Sequence, residues 1–255
     1  SHIDTNFLNM KKTLKSIFSQ KHVPNEIIIL KNGPLTKYCL KTIQDNMKSR
    51  NNIKLITIKE NLGLASALNL GLKLSTNQFI GRIDPGDTVI NNRFFKQYDF
   101  LKKNNEISIC GSFANELFNS KKRILQKTIN HNEIIKVLKF KNPIIHSSVV
   151  FKKNLIMDLG GYPLISKCQD YFLWIKCFEK NYKFFNIPEP LIEITLDKDM
   201  MNRRGFKYFM NELNIYNYMY KKKILTTYDY ILILIPRFIL RIIPNLLKLK
   251  LYNLR

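Results

Sequence analysis

The sequence predicts an α/β fold whose N-terminal half is a parallel sheet with helical crossovers. Three observations carry that expectation. Through about the first hundred residues, β-branched runs alternate with stretches of helical spacing. The run Glu26-Ile27-Ile28-Ile29-Leu30 is continuous, as in a strand covered on both faces. A third strand, at 79–83, ends in a turn, Asp84-Pro85-Gly86-Asp87, that brings two carboxylates to the place where open α/β sheets bind ligands.

Each element has its own warrant. Phe7, Met10, Leu14, Ile17 and Phe18 recur at helical spacing, predicting an amphipathic helix over 6–20, broken by Val23-Pro24-Asn25. The strand at 26–30 stops at the turn Lys31-Asn32-Gly33-Pro34. Leu40, Ile43 and Met47 mark the next helix, and 53–58 the next strand. Asn61-Leu62-Gly63-Leu64 leads into a helix on Ala65, Leu68 and Leu72, and the strand at 79–83 follows. A helix at 94–103 and a strand at 107–111 continue the rhythm. Beyond Ser112 it loosens: a hairpin tip at Lys121-Lys122-Arg123, a helix at 133–140, a strand at 147–151 and a turn at Gly160-Gly161-Tyr162-Pro163. A helix over 170–179 then precedes two edge strands, 184–187 and 191–194, around Pro188 and Pro190.

Bulk properties narrow the class. With 255 residues and 45% hydrophobic residues, the chain can bury a real core. Lys and Arg total 42 against 19 acids, a net charge of +23, which favours polyanions, anionic lipid or phosphorylated small molecules. No helix-turn-helix, zinc-finger or aromatic-basic RNA motif accompanies that charge, so a nucleic-acid partner is not expected. Cys39, Cys110, Cys168 and Cys177 show no metal-binding spacing and read as reduced thiols. The stretch 230–255 is rich in Ile and Leu, but Arg237, Arg241, Lys248 and Lys250 interrupt it, and no apolar run reaches the length of about 20 needed to span a bilayer. Arg237, Arg241, Asn245, Lys248 and Arg255 fall near one helical face, which suits an anionic membrane surface; a helix packed on the domain is the alternative.

Several motifs stand in a telling order. They are Asn32-Gly33, Asn61-Leu62-Gly63-Leu64-Ala65, Arg82-Ile83-Asp84-Pro85-Gly86-Asp87, Asn142-Pro143-Ile144-Ile145-His146 and Gln169-Asp170-Tyr171. In this order and spacing the chain resembles the inverting glycosyltransferases of family 2, in the bacterial branch that builds surface polysaccharides such as O-antigen or capsule. The resemblance runs over nearly the whole chain, and the basic tail with Arg241, Pro244, Tyr252 and Arg255 resembles that of the same branch. It implies a GT-A fold, a mixed sheet with helices on both faces. It also implies transfer of a sugar from a nucleotide donor, a UDP-sugar, to a lipid-linked glycan, at the inner face of the cytoplasmic membrane. Residues 1–225 would form the catalytic domain, with a donor half at 1–111 and an acceptor half at 112–225, and 226–255 a basic membrane-associating segment.

The chemistry says what such residues are for. A departing diphosphate needs its growing charge stabilised by a divalent cation or basic groups. The resemblance makes Asp84 and Asp87 the ligands of Mg²⁺ or Mn²⁺, hard cations that take oxygen; capping a turn is the other reading of both acids. Asn32, Asn61, Gly63 and Arg82 would meet the nucleotide and its diphosphate, with His146 beside them, although a lone His before a strand also serves structure. Arg203 and Arg204, in a basic loop, would close over the phosphates or stand as solvated charges. Direct attack by an acceptor hydroxyl requires a base, and Asp170 is implied for it, against a helix N-cap. Tyr171 and Trp174 would stack on the acceptor sugar or belong to the core.

Some positions depart from the family pattern. Gly86 stands where the metal motif has its middle acid, which shifts coordination to Asp87. Asn32 replaces an Asp, and Gln169 replaces the Glu before the base. The family's first strand would precede Ser1, and without it one position in the sheet would stand open. These departures also admit a protein that binds nucleotide-sugar without turning it over.

Overall fold

The computed structural model describes residues 7–118, 121–195 and 205–243. Helix α1 (Phe7–Phe18) buries Met10 and Leu14 against Ile43 of α2 (Lys37–Lys48), whose N-terminus is capped by the Thr36 hydroxyl accepting from the Cys39 amide. Strands β1 (Ile27–Asn32) and β2 (Ile53–Ile58) pair in parallel, in register from Ile27 with Ile53 to Asn32 with Ile58. Helix α3 (Leu64–Leu74) returns the chain over β1, where Gly71 lets the Leu30 side chain approach closely.

The second sheet is mixed. Its order is β3 (Phe79–Gly81), β7 (Val150–Lys152), β5 (Ile107–Phe118), β8 (Lys183–Thr195) and β4 (Thr88–Val89), with β6 (Lys121–Leu125) hairpinned onto the far half of β5. Only β5 and β8 run parallel in it; β3, β4 and β6 all pair antiparallel with their neighbours. The alternation of strand and helix thus marks the elements, but parallel pairing is confined to β1–β2 and β5–β8. Among the described residues no third strand joins β1 and β2, and a cleft runs between β1 and β3. That is why the apolar run 27–30 is half-buried rather than covered on both faces.

Several expectations shift. The segments 184–187 and 191–194 are one strand, β8, and it lies between β5 and β4 rather than at an edge. Pro188 is accommodated because the register against β5 skips from Ile187 to Pro190, a bulge that asks for no N–H there. The stretch 147–151 divides into a short 3₁₀ turn (His146–Ser148) and β7. Strand β5 runs to Phe118, beyond the expected 107–111, because β6 and β8 both pair with its second half, where Ser112, Asn115 and Glu116 interrupt the apolar run. Helix α4 (Arg93–Lys103) lies against β5, α5 (His131–Leu138) against β8, and α6 (Lys153–Asp158) follows β7.

The largest core lies under α7 (Gln169–Glu179): Leu173, Trp174, Ile175 and Cys177 are fully buried with Phe151, Phe184, Ile215 and Tyr216. Helices α8 (Phe206–Lys221) and α9 (Thr227–Ile242) form a hairpin on this core through Ile215, Met219 and Ile233. Thr226 and Asp229 make a capping box at the start of α9. Arg237 and Arg241 do not sit on an outward basic face: both turn inward onto the buried Glu212 of α8. The outer surface of α9 is apolar instead, with Ile231, Ile235, Phe238, Ile239 and Ile242 exposed. No described helix is long and apolar enough to cross a membrane.

Candidate active site

One cleft collects the residues that the motifs singled out. Asn32, Asn61, Gly63, Arg82, Asp84, Asp87, His146 and Asp170 all line it. Arg203 and Arg204 lie outside the described residues, as do Pro244, Asn245, Lys248, Lys250, Tyr252 and Arg255 of the tail.

At one end, β1 delivers Asn32 into the cleft floor, where it is almost fully buried. Its Nδ2 donates to Asn61 Oδ1 and to the Gly63 carbonyl, both at 3.1 Å, while its Oδ1 accepts from the Leu62 amide at 3.0 Å. The Gly63 amide in turn donates to Asn61 Oδ1. Both functional ends of the Asn32 amide are therefore spent on shaping the 61–63 loop. A carboxylate here has no proton for Asn61 Oδ1 or the Gly63 carbonyl.

The acidic turn hangs on α1. Thr13 Oγ1 donates to the Asp87 carbonyl and accepts from the Gly86 amide, and Ser16 Oγ accepts from Val89. Gly86 has φ +105°, a conformation that side-chain-bearing residues rarely adopt, so the turn itself demands glycine between the two acids. Asp84 projects half-exposed and pairs with Arg82, whereas Asp87 is buried and hydrogen-bonded to Ser147. Burial first, and then the nearby Asp84 charge, push the Asp87 carboxyl up to about 7, against the pull of Ser147, Arg82 and Arg93.

Beneath the turn lies a polar lattice that sequence reading missed. Arg93, fully buried on α4, donates from Nη2 to the Arg82 carbonyl at 2.7 Å and to the Val149 carbonyl at 3.2 Å. Its Nε donates to Gln97 Oε1, and Gln97 Nε2 reaches the carbonyls of Cys110 and Ser148. One turn of α4 thereby ties the segment just after β3, which carries Arg82, to β5 and to the segment carrying His146. Arg82 is itself buried to 8% exposure, and its Nη1 has no hydrogen-bond partner among the described residues. No periodicity announces such a network, because Arg and Gln at core positions of a helix read as solvent-facing.

At the other end, Asp170 sits in the first turn of α7 and accepts from Asn142 Nδ2 at 2.6 Å. Asn142 is held in place by the Ile144 amide donating to its Oδ1. Burial raises the Asp170 carboxyl above its ordinary range, opposed by the Tyr171 amide, Arg82 and Asn142. His146 Nδ1 lies 4.0 Å from Asp170 Oδ2, while its Nε2 meets the Tyr162 hydroxyl at 3.0 Å. Burial, reinforced by Arg82, holds this imidazole well below its usual pKa, so it is neutral at neutral pH and does not form an ion pair with Asp170.

Tyr162 is a second residue that sequence reading missed. Its backbone is clamped on both sides by Asn69, whose Nδ2 donates to the Tyr162 carbonyl and whose Oδ1 accepts from its amide. Gly161 has φ +78°, and a Cβ there would stand 2.4 Å from Asn69 Oδ1, so the clamp requires glycine at this position. The Gly160-Gly161 pair signals that turn, but nothing in the sequence aims the phenol at His146. Trp174 is fully buried in the core, and the Tyr171 hydroxyl donates to the Leu138 carbonyl; both take the core alternative rather than a stacking wall.

Chemically, the cleft presents a pair of hard oxygen donors, a buried guanidinium with an unspent N–H edge, and a separate carboxylate that is partly desolvated. The two turn carboxylates lie close enough for one charge to raise the other's pKa, a repulsion that a divalent cation relieves. With only two protein carboxylates, and no cluster of three candidate ligands among the described residues, a cation here would draw its remaining oxygens from a ligand such as a diphosphate. The donor set fits Mg²⁺ or Mn²⁺ on those terms.

Known proteins are similar to this chain in sequence and in fold. The profile of glycosyl transferase family 2 matches residues 7–159. The UDP-Gal:alpha-D-GlcNAc-diphosphoundecaprenol beta-1,3-galactosyltransferase of Escherichia coli is 33% identical over 93% of this chain and 87% of its own. The amylovoran biosynthesis glycosyltransferase AmsE of Erwinia amylovora is 29% identical over 82% of this chain and 79% of its own. Among solved structures, the mannosyltransferase PcManGT from Pyrobaculum calidifontis, in complex with GDP-Man and Mn²⁺, superposes with a TM-score of 0.63 at 16% identity. That match covers 92% of this chain and 66% of PcManGT. S. aureus TarS 1-349 in complex with UDP-GlcNAc gives 0.59 at 14% identity, over 74% of this chain and 55% of its own. At such identities the structural likeness speaks for the fold alone.

Proposed function

The chain belongs to glycosyl transferase family 2 and is a glycosyltransferase of GT-A fold, and from that premise we propose an inverting transfer of a sugar from a UDP-sugar to a lipid-linked glycan in surface-polysaccharide synthesis. The observation that carries the mechanism is the position of Asp170: a carboxylate of raised pKa in the same cleft as the Asp84–Asp87 turn and Arg82.

In this reading residues 1–111 hold the donor and 112–225 the acceptor. The loop that Asn32 shapes, with Asn61 and Gly63, supports the nucleotide. Asp84 and Asp87 would hold Mg²⁺ or Mn²⁺, which would supply positive charge to the donor diphosphate. Arg82 directs its unspent N–H edge at the same diphosphate, with a full charge in a site of low dielectric. An acceptor hydroxyl attacks the anomeric carbon from the opposite side. Its proton passes to an Asp170 carboxylate oxygen as the bond to the diphosphate breaks and that electron pair leaves with the diphosphate. His146, neutral and fixed by Tyr162, lines the acceptor side without competing for that proton. Arg203 and Arg204 are assigned to closure over the phosphates, and residues 226–255 to an anionic membrane at the cytoplasmic face. The apolar outer surface of α9 supports the membrane contact better than its arginines do, since those face Glu212.

The test is Asp170→Asn. Transfer should fall by at least about a thousandfold, the scale on which general-base catalysis contributes, while the dissociation constant for UDP with Mn²⁺ stays within twofold. Retained turnover would remove Asp170 as base.

A further inference from the structure

His146 stands beside the proposed base, and its neighbours fix which ring nitrogen carries the hydrogen. Tyr162 Oη meets Nε2 at 3.0 Å, and the fully buried Trp174 ring stands edge-on to the imidazole, with centroids 6.2 Å apart. On the remaining side Nδ1 faces Asp170 Oδ2 at 4.0 Å, across the cleft that both residues line.

Burial, with Arg82 nearby, keeps the ring neutral, so one nitrogen carries a hydrogen and the other a lone pair. Both edges of the ring select the same tautomer. Tyr162 is 2% exposed, and among the described residues its hydroxyl bonds to His146. A phenol so enclosed spends its proton on the acceptor at hand; an Nε2–H in that place would leave the phenol proton without one. Burial also raises the phenol pKa, so the proton stays on oxygen. At the other edge, a lone pair on Nδ1 would be repelled by the Asp170 carboxylate, whereas an N–H is attracted to it. The hydrogen therefore sits on Nδ1.

The 4.0 Å from Nδ1 to Asp170 Oδ2 is too long for a direct hydrogen bond, yet one oxygen fits between them at about 2.8 Å from each. The gap thus offers a donor and an acceptor to a single oxygen, which is what a hydroxyl takes. With its C–O bond, its proton and one lone pair each given a direction, only the second lone pair is left to attack.

We propose that His146 Nδ1–H and the Asp170 carboxylate together seat the attacking hydroxyl, and that Tyr162 is a positioning residue that keeps the imidazole hydrogen on Nδ1. The proposal rests on Asp170 as the base. In the step, the hydroxyl oxygen bonds to the anomeric carbon and its proton moves to Asp170. The electron pair of the breaking bond leaves with the diphosphate, and the His146 hydrogen stays on Nδ1 throughout.

The experiment has two readouts on the full chain. The first is a long-range proton–nitrogen correlation spectrum of protein labelled at histidine, at neutral pH, with His146 identified by the signals that His146→Asn lacks. The wild type should show the hydrogen on Nδ1 alone. Tyr162→Phe should show a mixture of tautomers, while the Asn69 clamp on its backbone keeps the loop in place. The second readout is UDP release from UDP-galactose with Mn²⁺, where water takes the seat of the hydroxyl. Tyr162→Phe should slow release by about tenfold, the worth of one hydrogen bond. His146→Gln, whose amide reaches toward the Nε2 position, should slow it by about a hundredfold through lost orientation. His146→Asn sets an N–H near the place of Nδ1 and should recover most of that loss. The affinity for UDP with Mn²⁺ should not change in any of the three.

The proposal is overturned if wild-type His146 carries its hydrogen on Nε2 or is doubly protonated, or if Tyr162→Phe leaves the spectrum or the rate unchanged. It is equally overturned if His146→Asn is as slow as His146→Gln, or if the wild type binds UDP-galactose and releases no UDP. Tyr162→Phe removes one oxygen and decides the matter even where a His146 variant does not fold. The two readings fail differently. A rate lost in Asp170→Asn but kept in His146→Gln sinks the seat and spares the base; a rate kept in Asp170→Asn sinks the base and the seat with it.

Discussion

Asn32 and Asp170 show how one side chain is specified by what its neighbours can donate. Asn32 uses both ends of its amide on the 61–63 loop, so replacing it by Asp sets a carboxylate against Asn61 Oδ1 and the Gly63 carbonyl. Asn32→Asp should cost about 1–3 kcal/mol, the penalty for buried polar groups left unpaired. Urea denaturation at pH 8 reads this, and an unchanged midpoint would contradict the assignment. As the proposed base Asp170 would act only when ionised, and burial raises its pKa, so activity should fail with acid at a pH above that of an ordinary aspartate. Asn142→Ala removes a hydrogen bond that lowers this pKa, so the acid limb of kcat/KM should move to still higher pH. A limb that stays put, or moves down, would show that Asn142 does not tune Asp170. The sign for stability is the reverse of the sign for activity. A carboxyl whose pKa is raised by folding weakens the fold as pH climbs past its unfolded value, so Asp170→Asn should be inactive yet no less stable at neutral pH.

Among the elements, α4 does the most to assemble the site while looking least like it. Its Arg93 and Gln97 stand at core positions, and together they fasten backbone carbonyls of Arg82, Cys110, Ser148 and Val149. Gln97→Leu keeps the volume but strands Arg93 Nε and two carbonyls, with an expected loss of about 3 kcal/mol from unsatisfied buried groups. A fall in the denaturation midpoint without a change in m-value is the expected result; a neutral outcome would mean that the lattice is dispensable. The same helix marks the limit of what was legible in the sequence. Apolar spacing located α1, α2 and β2 because their buried faces are apolar. It could not reveal α4's inner face, which is polar and satisfied internally, nor join 184–187 to 191–194 across Pro188, which only a bulge against β5 permits. Asp84, Asp87, His146 and Asp170, which the motifs singled out, line one cleft because the β3–β4 turn, the 3₁₀ turn and the start of α7 all open onto it. Asn142 was legible as part of its motif, but its bond to Asp170 and the aim of the Tyr162 phenol at His146 are tertiary contacts, which leave no local trace.

On the scale of the whole molecule, the cleft lies between polar groups that hang on α1, α3 and α4, the side proposed for the donor, and a wall supplied by α7, α8 and α9, the side proposed for the acceptor. The net charge of +23 and the apolar outer surface of α9 support the proposed contact with an anionic membrane. Replacing Ile235 and Phe238 by Glu should lower the fraction that co-sediments with phosphatidylglycerol vesicles by about tenfold, through lost apolar burial and added like charge. Unaltered sedimentation would move the membrane contact elsewhere on the chain. The central claim is a single displacement in which Asp170 takes the acceptor proton and the diphosphate leaves from the opposite face. Its most direct test is the anomeric configuration of the product formed from an α-linked UDP-sugar, read by proton NMR during turnover. One displacement predicts a β-linked product from the first turnover onward. An α-linked product would contradict it, because retention requires a second displacement or a front-face path in which Asp170 has no such role.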